Sequence, residues 1–284
     1  MPLNALVLIV FAAVSHSVWN LLAKRAAKNK HFIWFSSVGE AALFLPLAIW
    51  ALAGSWQRLG AKAAIFLIAT GVLHLLYTES LLRGYRAGDF SVVYPLARGT
   101  GPLLSFAGAC VFLGERPSIL AVFGVLLVSL GILLLSGVAN GQAVGFLGLF
   151  WGVATGFTIG GYTLVDAYAV KVLLLSPVLV EYAGNFLRMM MLSGAAWRRR
   201  STLAMEWRAC WKEALGVAVL TPVAYILVLL AMRIAPVSHV APAREMSMMI
   251  GAYLGARFLS EPHLARRLTA SALIAGGVAA LALG

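Results

Sequence analysis

Arg98 and Arg244 constrain the chemistry of this chain more than any other residues, because each lies inside a long apolar run. Arg98 stands about 8 residues into its run, roughly 12 Å deep at about 1.5 Å per residue. A bare guanidinium there costs about 2.5–3.5 kcal/mol even on a lenient insertion scale. Each arginine must therefore face protein or a wet cavity. Pro95 precedes Arg98, and Gly99, Gly101 and Pro102 follow it, so the helix is expected to bend or unwind where the charge sits. Pro242 and Arg244 repeat the combination. Two such arginines form a fork for a carboxylate, phosphonate or phosphate, as a substrate or gating contact. The competing reading is structural, with each arginine paired to an acid or bonded to carbonyls that the prolines free.

Glu40 and Glu181 are the expected partners of those arginines, since a carboxylate in an apolar interior must be paired, hydrogen-bonded or neutralised. They are either proton carriers that load on one side and unload on the other, or fixed ion pairs. Glu245 follows Arg244 directly and is not expected to share its face on a regular helix, so it pairs elsewhere or faces the cavity. Glu181, Asn185 and Arg188 are spaced to form a polar stripe that lines the cavity from one helix, as substrate or gating contacts. His16, His74 and His239 are candidates for a proton relay or for hydrogen-bonded packing, and none has the i+4 partner of a metal site. Asn20, Tyr94 and Tyr162 supply amide and aromatic contacts for a small-molecule cavity. Glu115 and Glu261 are expected to cap the helix that follows each of them.

The elements that must hold these groups are membrane helices. Of 284 residues 62% are hydrophobic and 11% charged, against roughly 25% charged in soluble domains. The formal charge of +12 falls between apolar runs, where anionic headgroups meet it, so nucleic acid is not expected as a partner. The 2 cysteines, Cys110 and Cys210, have no metal or redox spacing. The first apolar run has no basic leader and no small-residue cleavage site, so it is expected to be retained.

Ten segments approach the roughly 20 apolar residues that cross hydrocarbon. They are 3–23, 32–52, 63–82, 90–113, 119–137, 145–165, 177–196, 214–232, 237–258 and 268–283, and the stretch 197–213 is the only long connection between them. An internal repeat organises them. Arg86-Ala-Gly-Asp-Phe-Ser-Val-Val-Tyr-Pro95-Leu-Ala-Arg98 aligns with Arg233-Ile-Ala-Pro-Val-Ser-His-Val-Ala-Pro242-Ala-Arg244, with one residue deleted between the proline and the second arginine. Phe112-Leu-Gly-Glu115 matches Phe258-Leu-Ser-Glu261, Glu40 falls near Glu181, and Trp19-Asn20 near Tyr162-Thr163. The halves are 1–140 and 141–284. An odd number of helices per half makes the second copy enter the membrane from the opposite side. The expected fold is thus an all-α membrane protein of ten transmembrane helices in two inverted five-helix repeats, with a site between them near mid-membrane.

The run from Ala87 through Pro95, Arg98 and Pro102, closed by Leu113-Gly-Glu115-Arg-Pro117, resembles the fourth helix and following loop of the EamA family of the drug/metabolite transporter superfamily. Ala241-Pro-Ala-Arg-Glu through Leu259-Ser-Glu261-Pro262 repeats it. The resemblance extends over essentially the whole chain in helix count, length and duplication. It implies a secondary carrier with a central cavity between the halves, with no ATP and no cofactor.

The expected function is secondary transport of a small polar or anionic metabolite, such as an amino acid or organic acid, across the cytoplasmic (inner) membrane. Alternating access moves the substrate, with proton coupling as an open option. The partners are the substrate and the lipid bilayer, and the glycine-rich fifth and tenth helices are expected to make close helix contacts, in a monomer or a homodimer. Two other readings are a lipid-linked sugar flippase subunit and an integral membrane enzyme acting on lipid. The chain lacks a HExxH or GxSxG signature for the enzyme reading.

Overall fold

The computed structural model describes residues 1–26, 28–88, 90–136, 145–259 and 264–284. It is helical, with no strand among the described residues. The helices are α1 (Leu3–Ala26), α2 (Phe32–Ser55), α3 (Ala61–Ala87), α4 (Phe90–Phe112), α5 (Ile119–Ser136) and α6 (Phe146–Lys171). They continue as α7 (Pro177–Arg198), α8 (Arg200–Ile234), α9 (Val237–Ala243), α10 (Met246–Leu259) and α11 (Leu264–Leu283). Six stretches among the described residues are long and apolar enough to cross a membrane, in α1, α2, α3, α6, α8 and α11. Glu261 lies outside the described residues, and so does the cap expected of it.

Polarity is inverted relative to a soluble protein. Phe11, Trp50, Ile65, Phe123, Phe146 and Phe157 are exposed, while Glu40, Arg98, Asp166, Glu181, Arg244 and Glu245 are buried. Lipid is the solvent that favours this arrangement.

Two elements differ from expectation and a third follows it. The stretch 197–213 is no loop: α7 runs to Arg198 and α8 begins at Arg200. Between Arg200 and Glu213 there is no glycine or proline to stop a helix. Glu206 fixes this segment by accepting from the His31 backbone N–H at 3.2 Å and meeting its Nδ1 at 3.0 Å. Next, α4 passes through Pro95 and Pro102 without a break, because each proline removes only one backbone bond. The segment with the matching Pro242 and Arg244 does break. One residue fewer separates Pro242 from Arg244, and the chain tightens into i→i−3 bonds from Glu245 N–H to Pro242 O (3.1 Å), Ser247 N–H to Arg244 O (3.2 Å) and Met248 N–H to Glu245 O (2.8 Å). That turn separates α9 from α10.

The packing brings distant segments together. Helix α1 lies on α8 and α3 lies on α6, while α2 packs on both α7 and α8 and α3 also packs on α7. Helix α4 packs on α5, α6 and α9, and α5 lies along α11. At the α5–α11 seam a Cβ on Gly124 would stand 2.8 Å from Gly277 O, and one on Gly277 would stand 2.6 Å from Gly124 O. Only glycine permits that approach. The glycine contacts therefore join two helices of one chain.

Candidate functional site

Glu245 sits between the two arginines. Its Oε2 is 2.7 Å from Arg98 Nη2 and its Oε1 is 3.3 Å from Arg244 Nε. Arg98, Arg244 and Glu245 are 7%, 9% and 0% exposed, so these charges depend on one another rather than on solvent. This corrects two expectations. Glu40 and Glu181 are not the arginines' partners, and Glu245 does serve Arg244, because the i→i−3 turn rotates it off the regular helical phase. Arg98 Nη2 also lies 3.5 Å from Ser247 Oγ, and Ser247 O accepts from Ser17 Oγ at 2.8 Å, which ties α1 and α10 to α4.

Tyr162 on α6 closes the other side. Its hydroxyl is 3.4 Å from Arg244 Nη2, and the guanidinium carbon is 5.8 Å from the ring centroid. The same ring stacks on His74 of α3 with centroids 4.2 Å apart. One turn further along α6, Asp166 Oδ2 meets His74 Nε2 at 3.2 Å and accepts a hydrogen bond from the Tyr225 hydroxyl of α8. Asp166 is 0% exposed, and its Oδ1 has no hydrogen-bond partner. Among the described residues no group of three His, Cys, Asp or Glu could hold a metal.

A second polar set joins α2 to α7. Arg188 Nη2 is 3.5 Å from Glu40 Oε2 and donates to Asn185 Oδ1 at 2.8 Å, while its Nε donates to Ser37 Oγ at 3.1 Å. Asn185 Nδ2 donates to Ser37 O at 3.0 Å. Glu40 and Glu181 are both buried and lie within electrostatic reach of each other. Asn185 and Arg188 of the expected stripe are thus joined, Glu40 is the acid beside Arg188, and Glu181 stands within electrostatic reach.

The remaining candidates divide. His16 is buried within electrostatic reach of Arg98 and Arg244, with its ring 4.8 Å from Trp19. Asn20 turns back to bond the His16 carbonyl at 2.7 Å. Tyr94 donates to Met248 Sδ at 3.8 Å, across α4 and α10. His239 lies beside Ser238 Oγ at 3.2 Å, within reach of the chain's amino terminus and Glu115 rather than among the arginines.

Glu115 is a cap, but of α9 and not of the helix that follows it. It accepts from Val237 N–H at 2.7 Å and Ser238 N–H at 2.8 Å, and Lys171 Nζ stands 3.4 Å away. Burial pushes this carboxyl up, but the Ser238 and Val237 hydrogen bonds and the Lys171 ammonium outweigh it and hold it below its usual value.

Sequence reasoning missed Asp166, Tyr225 and Ser247. Asp166 directly follows the boundary drawn at residue 165, whereas α6 runs on to Lys171. Its i+4 spacing from Tyr162 was the available signal.

Residues 3–137 match the model of the EamA-like transporter family. No match is found among curated proteins. A solved structure described only as "Crystal structure of protein" superposes with a TM-score of 0.75 at 15% identity, covering 100% of this chain and 98% of that one. At that identity the likeness concerns the fold. Residues 3–137 are thus similar to the EamA-like transporter family of the drug/metabolite transporter superfamily, and the apolar helices make the chain a multi-pass membrane protein.

Proposed function

We propose that the chain is a secondary transporter of a small anionic metabolite, working by alternating access across the cytoplasmic (inner) membrane. One observation carries this reading: Arg98 and Arg244 share a single carboxylate, Glu245. Taken as a trio, they hold one positive charge in excess in a dry site. A substrate carboxylate, phosphonate or phosphate would complete it by bidentate contact. Tyr162 and Tyr94 are proposed to line the same space, with Asn20 and His16 behind them. Glu40, Glu181, Asn185 and Arg188 are assigned to positioning α2 against α7.

The proposal includes ten membrane-crossing segments in two inverted repeats, 1–140 and 141–284, with α9 and α10 together making one crossing. The packing supports it. Exchanging α1 with α6, α2 with α7, α3 with α8 and α5 with α11 turns the α1–α8 contact into α6–α3 and the α2–α8 contact into α7–α3. The same exchange returns α2–α7 and α5–α11 to themselves, and Gly124 and Gly277 make reciprocal contacts as a twofold relation requires. A site at such an interface is exposed alternately by rocking one half against the other.

Purified protein in liposomes, offered labelled amino acids, organic acids and phosphonates, tests the reading. The expected result is flux of an anionic compound that is lost in Arg98→Ala and Arg244→Ala proteins that still fold. Absence of flux for every compound, or flux unaffected by both substitutions, overturns it.

A further inference from the structure

We propose that the corner where α1 runs into α2 and α7 into α8 is a docking surface for anionic phospholipid headgroups. Nine of the chain's 22 basic residues fall on two short stretches, 24–31 and 197–213. Lys24, Arg25, Lys28 and Lys30 occupy the first. Arg198, Arg199, Arg200, Arg208 and Lys212 occupy the second, and all nine are exposed. The fold brings the two stretches together. Ala26 of α1 and Phe32 and Phe35 of α2 share an apolar cluster with Cys210 and Ala214 of α8, and Trp34 Nε1 donates to Ser193 Oγ of α7 at 3.0 Å.

The acids of these stretches, Glu206 and Glu213, do not cancel the patch. Glu206 is turned onto His31 and accepts from Thr202 Oγ1 at 3.0 Å, and Glu213 is half-buried. At the opposite end of the bundle Lys62, Arg58 and Lys171 are engaged within the protein. Lys62 Nζ donates to the Tyr168 hydroxyl at 2.9 Å, Arg58 Nη1 to Leu174 O at 3.1 Å, and Lys171 Nζ to Ala235 O at 2.9 Å. The corner differs in presenting its charge outward.

Depth and apolar content select lipid over a soluble anion. Helix α8 has 35 residues, a length of about 52 Å at about 1.5 Å per residue, against about 30 Å of hydrocarbon. The overrun of about 20 Å is the stretch 200–213, because 214–234 holds a single charge, Arg233. The first turns of α8 therefore stand at headgroup level. Trp197, Met205 and Trp211 are exposed among the basic groups there. The Arg200 guanidinium lies 5.5 Å from the Trp197 ring centre and the Lys212 ammonium 5.6 Å from the Trp211 ring centre. A ring at the acyl boundary with a cation at the phosphate beside it is an interfacial anchor. A free phosphate would use the cations and leave the exposed rings and Met205 in water.

Spin-labelled lipids test the surface on the purified full-length protein in phosphatidylcholine vesicles, where electron paramagnetic resonance reports the fraction of label held at the protein. Labelled phosphatidylglycerol is expected to be held about fivefold more strongly than labelled phosphatidylcholine, the contribution of one basic residue at a lipid surface. Arg198→Gln, Arg199→Gln and Arg200→Gln combined should remove most of that preference, as should about 0.5 M salt. Arg58→Gln with Lys62→Gln, at the opposite end, should keep it. Should the combined variant fail to fold, Lys28→Gln with Lys30→Gln lowers the charge of the same corner and is expected to reduce the preference. Equal retention of the two lipids by the parent overturns the proposal, and so does a preference that the corner variants leave unchanged or that Arg58→Gln with Lys62→Gln equally removes. A preference abolished by inorganic phosphate at matched ionic strength would make the corner a soluble-anion site and overturns it too. The readout needs no flux, so it stands or falls apart from the transport reading.

Discussion

The Arg98 guanidinium and the Glu245 carboxylate stand 2.7 Å apart, joining α4 to the turn between α9 and α10. Neither charge has solvent to fall back on. Glu245→Gln is therefore expected to cost about 3–5 kcal/mol by leaving two guanidinium groups uncompensated. A lowered unfolding temperature in detergent would register it. Replacing Arg98, Arg244 and Glu245 all with Met should recover most of that stability and abolish transport, which separates the energetic role of the trio from its functional one.

Glu115 offers a pH test. Its carboxyl lies below its usual value in the folded protein, so it stabilises above the ordinary carboxylate value, about 4.3. That contribution is lost as pH falls through the lowered folded value. Glu115→Ala should cost about 1–2 kcal/mol at neutral pH through loss of the α9 cap. Unfolding curves of Glu115→Gln should lose this part of the acid dependence, and an unchanged profile would remove Glu115 from the account.

Gly276 and Gly277 adjoin in sequence and differ in surroundings. A Cβ on Gly276 meets nothing within 4 Å, while one on Gly277 meets Gly124 O at 2.6 Å and Val128 at 2.8 Å. Gly276→Ala should stay within roughly 0.5 kcal/mol of the parent. Gly277→Val should lose at least about 1–3 kcal/mol. Equal effects in thermal unfolding would contradict the α5–α11 contact.

Arg188 and Glu40 should behave as a coupled pair. Arg188→Met and Glu40→Gln together are expected to cost less than their separate costs summed, by about 0.5–3 kcal/mol. Additive losses would mean that the 3.5 Å contact holds no energy.

The helices and the burial of Arg98 and Arg244 were legible in the sequence because lipid punishes a misplaced charge severely and locally. The partners of those arginines were not. Which acid reaches Arg98 depends on a turn after Pro242 that changes the phase of Glu245 by local hydrogen bonding, and residue spacing assumes a regular helix. Asp166 was overlooked for a related reason. A hydropathy boundary places the first acid outside the membrane segment, whereas backbone bonding and tertiary partners carry α6 one turn and more beyond it. Glu115 shows the converse: its residue type announced a cap, but only the packing of α4 against α9 identified α9 as the helix capped.

Two guanidinium groups that share one carboxylate in a buried centre also bear on how the membrane voltage acts. One uncompensated charge moved across the field would change the energy by about 2.3 kcal/mol per 100 mV. A centre one charge in excess when empty and neutral when an anion fills it exposes that handle in one half of the cycle. The anion gradient and the voltage would then act together on the direction of travel, and clamping the potential should alter the rate.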